Sequence, residues 1–433
     1  MRSARLLGKD FTNLEKITMK KIKKYTFGMG DRFAHQGEAQ LQAILNAKAE
    51  GIDVYPTWNK SFREHSIVGS KPQGLRDEAD AAVKVLGWEE DYYVDADHIG
   101  LKTVDDFIPG SNFYTLDVAD FVGAESTSEA IDGFLDFVKD YFGELRIEGI
   151  SEPLNLTEAK ARAAAGKFLK AISEAKAIYN YIAEQREPDT FVTEVSVDET
   201  DQPQTPEDLF FILAMIAKEK LPAQTIAPKF TGRFNKGVDY VGDLVQFEKE
   251  FEEDLCVIQY AIKELGLPEG LKLSVHSGSD KFSIYPIINK LIKKYDTGLH
   301  VKTAGTTWLE EVIGLAESGG EGLEIAKEIY AGALENFDAL TAPYATVIDI
   351  DKSKLPTVEE VNSWGSEKFV ETLRHDLSSS CYNLHFRQLI HVGFKIAAKM
   401  GNRFTDALIE NKAIVAKNVT QNLFERHMIP ILK

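Results

Sequence analysis

The chain reads as a TIM-type (β/α)8 barrel with added helices. Eight short apolar strands alternate with stretches whose apolar residues recur at spacings of three and four, and there is no second run of strands to build another sheet. Length agrees: 433 residues exceed the about 250 that such a barrel uses. With 44% apolar and 10% aromatic residues, the chain can fill a large core.

The strands are expected at Tyr25 to Gly28, Asp53 to Pro56, Tyr92 to Asp95, Phe113 to Leu116, Phe191 to Val197, Gln224 to Ala227, Leu271 to Val275 and Leu299 to Thr303. Residues 19–433 are expected to form one domain, with a helical insertion at about 118–187 and a helical C-terminal part at about 310–433. In the insertion, Ala159 to Ala183 is rich in Ala, Lys and Glu and reads as exposed helix. Pro343, a β-branched run and Pro356 break the tail between Thr341 and Thr357. Thr205-Pro206-Glu207-Asp208 is a helix start, and Thr306 or Thr307 is expected to cap a helix ending at Gly319-Gly320. Residues 1–18 lack a signal-peptide core and are expected to be a disordered or non-native leader, with Met19 the more natural start.

Composition narrows the function classes. A net charge of −18 repels phosphate backbones and anionic lipid, so a small molecule is the expected partner rather than nucleic acid or membrane. The longest apolar run, Leu209 to Ala217, is too short to cross a bilayer. Cys256 and Cys381 stand far apart with no CxxC partner, which suits a reducing cytoplasm. A homo-oligomer is compatible with all of this.

In such a barrel, reactive groups sit at the C-terminal ends of the strands. The third strand ends in Asp95-Ala96-Asp97-His98. Strand alternation sends Asp95 and Asp97 to one side and His98 to the other, unless the following turn brings Asp97 and His98 together. The alternative is a solvated strand end with an N-cap aspartate. After the seventh strand comes His276-Ser277-Gly278-Ser279-Asp280-Lys281, where backbone N–H groups and hydroxyls could cradle an anion. The eighth strand carries His300 and Lys302 and leads into a helix N-terminus. His98, His276 and His300 would suit a divalent metal with open positions, and His391, in Arg387 to His391 of the tail, is the rival third ligand. Zinc, nickel, manganese and cobalt all accept such donors.

Glu194 stands on the β-branched fifth strand, where burial would raise its pKa toward general-acid use, while Asp198 and Glu199 read as turn caps. Phe27-Gly28-Met29-Gly30-Asp31-Arg32 opens like a dinucleotide loop, but Phe33 replaces the third glycine and a nicotinamide site is rejected. Arg32 remains free to fork onto a carboxylate or to pair with an acid. Lys229 to Asp243 reads as a loop of undetermined role.

These segments, with Glu194 to Thr200, Gly237 to Asp243, His276 to Phe282, His300 to Gly305 and Arg387 to His391, resemble the tagaturonate epimerase family over Phe27 to about Gly393. The resemblance implies a metal-dependent isomerase of hexuronate catabolism that interconverts D-tagaturonate and D-fructuronate. It implies Asp97 as proton acceptor, Glu194 as proton donor and His98 as a metal ligand. Arg32, Asp280, Lys281, Lys302, Arg387 and His391 are the expected substrate-binding residues. The inverted carbon is not adjacent to the ketone, so retro-aldol cleavage and re-addition is the expected route, with the inserted helices as a lid. A metal-dependent aldolase, a ketose epimerase or a non-catalytic sugar-acid-binding barrel are the other readings.

Overall fold

A computed structural model describes residues 20–198, 200, 202–303 and 305–433. The expected leader, Glu199 and Ala304 lie outside the described residues. Eight parallel strands close into a barrel: β1 (Tyr25–Gly30), β2 (Val54–Ser61), β3 (Tyr93–Ile99), β4 (Phe113–Asp117), β5 (Val192–Ser196), β6 (Thr225–Ala227), β7 (Lys272–Val275) and β8 (Leu299–Lys302). Consecutive strands are neighbours, and β1 closes the barrel on β8 with Tyr25 opposite Leu299 and Gly28 opposite Lys302.

The barrel and its eight strand positions agree with the sequence reading, but three strands run further, β1 as far as Gly30. β2 continues past Pro56 to Ser61, at the cost of one ladder hydrogen bond from the proline. β3 continues through Asp95, Asp97 and His98 because its polar side chains meet partners inside the barrel rather than water. The outer faces of the strands pack under helices through residues such as Val94, Ala96, Leu116, Val195 and Ile226, all buried.

Glu158–Ala183 is one 26-residue helix. It is not an exposed lid: Ala161, Phe168, Leu169, Ile172 and Ile178 are buried, and the helix packs on Pro206–Lys218 and on β4 as the barrel's own fourth helix. The true additions between β4 and β5 are the helix Ser128–Val138 and a short antiparallel hairpin, Gly143–Leu145 with Leu154–Leu156. Thr205 caps Pro206–Lys218 through a capping box with Asp208, as its sequence signals. Thr306–Ser318, by contrast, has Gly305 at its N-cap and no side-chain cap, because the Thr306 hydroxyl donates to Asn422 Oδ1 instead.

The tail encloses the barrel rather than trailing from it. Leu384–Val392 packs on Thr306–Ser318 and Gly320–Glu335, and Lys412–Gln421 packs between Thr306–Ser318 and Gly37–Ala49. No helix among the described residues is long and apolar enough to cross a membrane. Cys256 and Cys381 are both free.

Candidate active site

The C-terminal halves of β3, β4, β5 and β8 fill the barrel with polar side chains instead of the usual branched apolar layers. At the centre is Lys302, whose Nζ lies 2.8 Å from Asp95 Oδ2, 2.8 Å from Asp97 Oδ1 and 2.9 Å from Glu194 Oε1. Gly28 makes this approach possible, since a Cβ there would stand 3.1 Å from Lys302 Cα and force β1 and β8 apart. Thr225 Oγ1 donates to Glu194 Oε2 at 2.7 Å, and Thr115 Oγ1 lies 3.1 Å from Glu194 Oε1. Lys302 was expected to bind a substrate anion. Three carboxylates already neutralise it, so its charge is spent inside the protein.

Strand alternation would turn His98 away from Asp97. A bulge prevents this: the register with β4 shifts between Ala96 and Ile99, and His98 adopts a left-handed backbone with φ 56°. The imidazole therefore joins Asp97 at the mouth, with Nε2 3.9 Å from Asp97 and Nδ1 3.6 Å from Asp117. His276 comes from the loop after β7 and meets His98 edge-on, with ring centroids 5.2 Å apart. Its Nε2 lies 2.8 Å from Glu194 Oε1 and its Nδ1 3.2 Å from Asp198.

Asp198 is the residue the sequence reading missed as a ligand candidate. Its position two residues beyond β5 was the available signal, but an acid before a helix reads first as a cap. Ligand atoms of His98, Asp198 and His276 all lie within 4.8 Å of one another, a group that could hold a metal ion. The Nδ1 atoms of His98 and His276 are buried and make no well-formed hydrogen bond, facing only Asp117 at 3.6 Å and Asp198 at 3.2 Å, which leaves them free to ligate a cation.

His300 falls outside this group. Its Nδ1 is paired with Thr26 Oγ1 at 2.8 Å, its ring lies 5.1 Å from that of Phe113, and it is fully buried two residues earlier on β8 than Lys302. His391 also falls outside it, fully buried beside Gly237 and Gly305.

Burial raises Glu194, but Lys302 and His276 outweigh it and hold the carboxyl well below its usual range. The expectation of a raised Glu194 is thus reversed, because burial came with two cations attached. Burial also raises Asp97, and there Lys302 and His98 win and hold it ionised. Asp95 is the exception: burial, opposed by Lys302 but reinforced by Asp97 and Glu194, lifts it to about 7. Burial lowers both histidines, yet Asp97 takes His98 up to about 10 and Asp198 takes His276 up to about 8.

The expected cradle after β7 has another job. Gly278 N–H donates to Lys302 O, Asp280 N–H to His427 Nε2 and Lys281 N–H to the Tyr285 hydroxyl. Lys281 Nζ donates to the carbonyls of Asn235, Val238 and Ser279. Arg387 donates to the carbonyls of Gly237 and Leu373 and to Asp280 at 3.2 Å. All three side chains are fully buried: Lys281 ties the loop after β7 to the loop after β6, and Arg387 and Asp280 fasten the tail to these loops.

A closed parallel barrel with paired carboxylates, a lysine and an imidazole–carboxylate group at its C-terminal strand ends defines an enzyme of the TIM-barrel class. The chain belongs to the tagaturonate epimerase family, whose profile matches residues 2–429. It is accordingly an isomerase. A Thermotoga maritima protein named tagaturonate/fructuronate epimerase is 30% identical over 424 residues, covering 93% of this chain and 80% of that one. Among solved structures, the glycerol-complexed fructuronate-tagaturonate epimerase of Cohnella laeviribosi superposes with a TM-score of 0.79 at 22% identity, covering 96% of this chain and 83% of that one. The native form of the Cohnella protein gives a TM-score of 0.77 at 23% identity, with the same coverage. These two structural matches share the fold.

Proposed function

We propose that this isomerase interconverts D-tagaturonate and D-fructuronate in hexuronate catabolism, using a divalent metal and a retro-aldol inversion. Family membership and the name of the Thermotoga relative support the substrate pair. The observation that carries the chemistry is the placement of Asp97 and Glu194, on separate strands, at 2.8 Å and 2.9 Å from one ammonium beside the His98–Asp198–His276 group.

His98, Asp198 and His276 would hold the metal, with Asp198 in place of the expected His300. The Glu194 carboxylate on His276 Nε2 fixes the ring with Nδ1 toward Asp198, an orientation in which Nδ1 would serve as the ligand. When bound, such an ion polarises the substrate carbonyl and stabilises the negative charge that develops on cleavage. Zinc, nickel, manganese and cobalt all suit two imidazoles and a carboxylate.

Asp97, held ionised, accepts the hydroxyl proton from the inverting carbon as the adjacent C–C bond breaks. Rotation of the aldehyde and re-addition then invert the centre. The returning proton comes by way of Glu194. That carboxylate is itself ionised, so it relays the proton that Asp97 took up, handed across Lys302, which lies 2.8 Å from Asp97 and 2.9 Å from Glu194. Lys302 thus acts as a charge partner for both carboxylates rather than as an anchor for the substrate. The two free cysteines fit a reducing cytoplasm.

The test is to incubate purified protein with tagaturonate, before and after chelation and metal add-back, and follow fructuronate by NMR. Activity that survives full metal removal, release of two fragments as the net product, or full turnover by a folded Asp97→Asn variant would each overturn part of this reading.

A further inference from the structure

The mouth of the barrel is electrically divided. Acids and histidines from β3, β4, β5 and β7 occupy one side. The other side carries cations: Arg32 after β1, Lys236 in the loop after β6, and Arg63 after β2. Glu64 lies among them, 3.5 Å from an Arg32 terminal nitrogen, and the buried Asp31 and Glu311 lie behind Arg32.

Several donors on this side lack acceptors. Arg32 is 6% exposed and its Nε is buried with no acceptor, while its guanidinium carbon lies over the Phe394 ring, 4.5 Å from the centroid. His391 is 1% exposed and neither ring nitrogen has a partner. Arg32 and Lys236 act on His391 electrostatically and, together with burial, hold it neutral, so it presents one N–H. The backbone makes room for that ring: a Cβ on Gly237 would lie 3.3 Å from His391 Cδ2, and one on Gly305 would lie 2.3 Å from Nε2. Gly305 also opens the Thr306–Ser318 helix, which has no side-chain cap. Lys236 Nζ donates to Ser277 Oγ at 3.0 Å, and its backbone N–H is tied to Val347 O. Its ammonium keeps two further hydrogens one residue away from His276.

Resting on the sugar-acid reading above, we propose that Lys236, Arg32 and His391 form the subsite that takes the substrate's carboxylate. A planar anion with two oxygens is the ligand that satisfies converging guanidinium, ammonium and imidazole donors beside a helix N-terminus. The Lys236–Ser277–His276 sequence of contacts sets this subsite against the metal-ligating group, so a six-carbon keturonate spans the two with its reacting carbons over Asp97 and Glu194. Lys236 is the residue that makes the site selective for acids over neutral ketoses, because among the described residues its ammonium is paired only with the Ser277 hydroxyl, whereas Arg32 sits 3.5 Å from Glu64 and His391 is neutral.

The test compares wild type with Lys236→Met and Lys236→Arg, each shown to be folded by thermal unfolding. One arm measures kcat and KM for tagaturonate, and the other measures binding of D-galacturonate and D-galactose by calorimetry. Lys236→Met is expected to raise KM and weaken galacturonate binding about 10- to 100-fold, with a smaller change in kcat, and Lys236→Arg to recover most of both. Unchanged galacturonate binding in Lys236→Met, or equal losses for galacturonate and galactose, would overturn the subsite. A wild type that binds galacturonate through Lys236 but leaves tagaturonate unconverted would sink the epimerase reading while retaining the subsite.

Discussion

Lys302 at the end of β8 donates to Asp97 on β3 at 2.8 Å, a bond that crosses the inside of the barrel. Removing this ammonium leaves Asp95, Asp97 and Glu194 buried together with only the His98 and His276 imidazoles to offset them. Lys302→Met is therefore expected to lose about 3–5 kcal/mol of stability and at least about 100-fold in turnover. Adding Asp95→Asn should restore part of the stability but not the turnover. Urea unfolding and steady-state rates on both variants check this, and a stable, active single variant would remove Lys302 from its central role.

The choice of Asp198 over His300 as third ligand predicts opposite outcomes for two substitutions. Asp198→Ala should weaken metal binding by more than about 10-fold, read by metal content at fixed free metal. His300→Asn should retain its metal and lose only about 1 kcal/mol with the Thr26 contact. Equal metal loss in the two variants would return His300 to the ligand set.

The fully buried Asp280–Arg387 pair predicts a stability effect separate from substrate binding. Asp280→Asn leaves Arg387 with its charge uncompensated and should cost about 3–5 kcal/mol. KM for the sugar acid should move far less than the unfolding midpoint. A variant of native stability with a large rise in KM would place Asp280 against the substrate after all.

Glu311 lies fully buried under the loop after β1 with both carboxylate oxygens unpaired, and burial, followed by the nearby Asp31, pushes it well up. Above the ordinary glutamate value of about 4.3, the folded protein keeps this proton while the unfolded chain loses it. Stability therefore falls as pH rises from there toward the folded value. Glu311→Gln, which mimics the protonated group, should raise the melting temperature more at about pH 8 than at about pH 5. A pH-independent gain would show that ionisation of Glu311 is not the cause.

The barrel was readable because its outer strand faces are β-branched and aromatic, and that pattern survives in one dimension. Strand ends were less so: Asp97 and His98 read as a strand end or a solvated cap, and only Lys302, far along the chain, supplies the countercharge that lets the strand run on inside the barrel. The bulge at His98 depends on register with β4 and has no local signature. Arg387, Asp280 and Lys281 were found as a polar set, but their mutual distances, not their types, assign them to scaffolding. Asp198 and Lys236 were passed over because an acid after a strand and a lysine in a glycine-rich loop have ordinary explanations.

The Asp280 clamp also orders events in time. Its partners are His375, Arg387 and His427, so the loop bearing His276 cannot be fastened until the residues through His427 have been made. A nascent barrel with all eight strands already made still lacks the restraint that sets one of its imidazoles. Catalytic competence in this protein should therefore arrive in a single late step, after the strands have closed and only when the tail has docked.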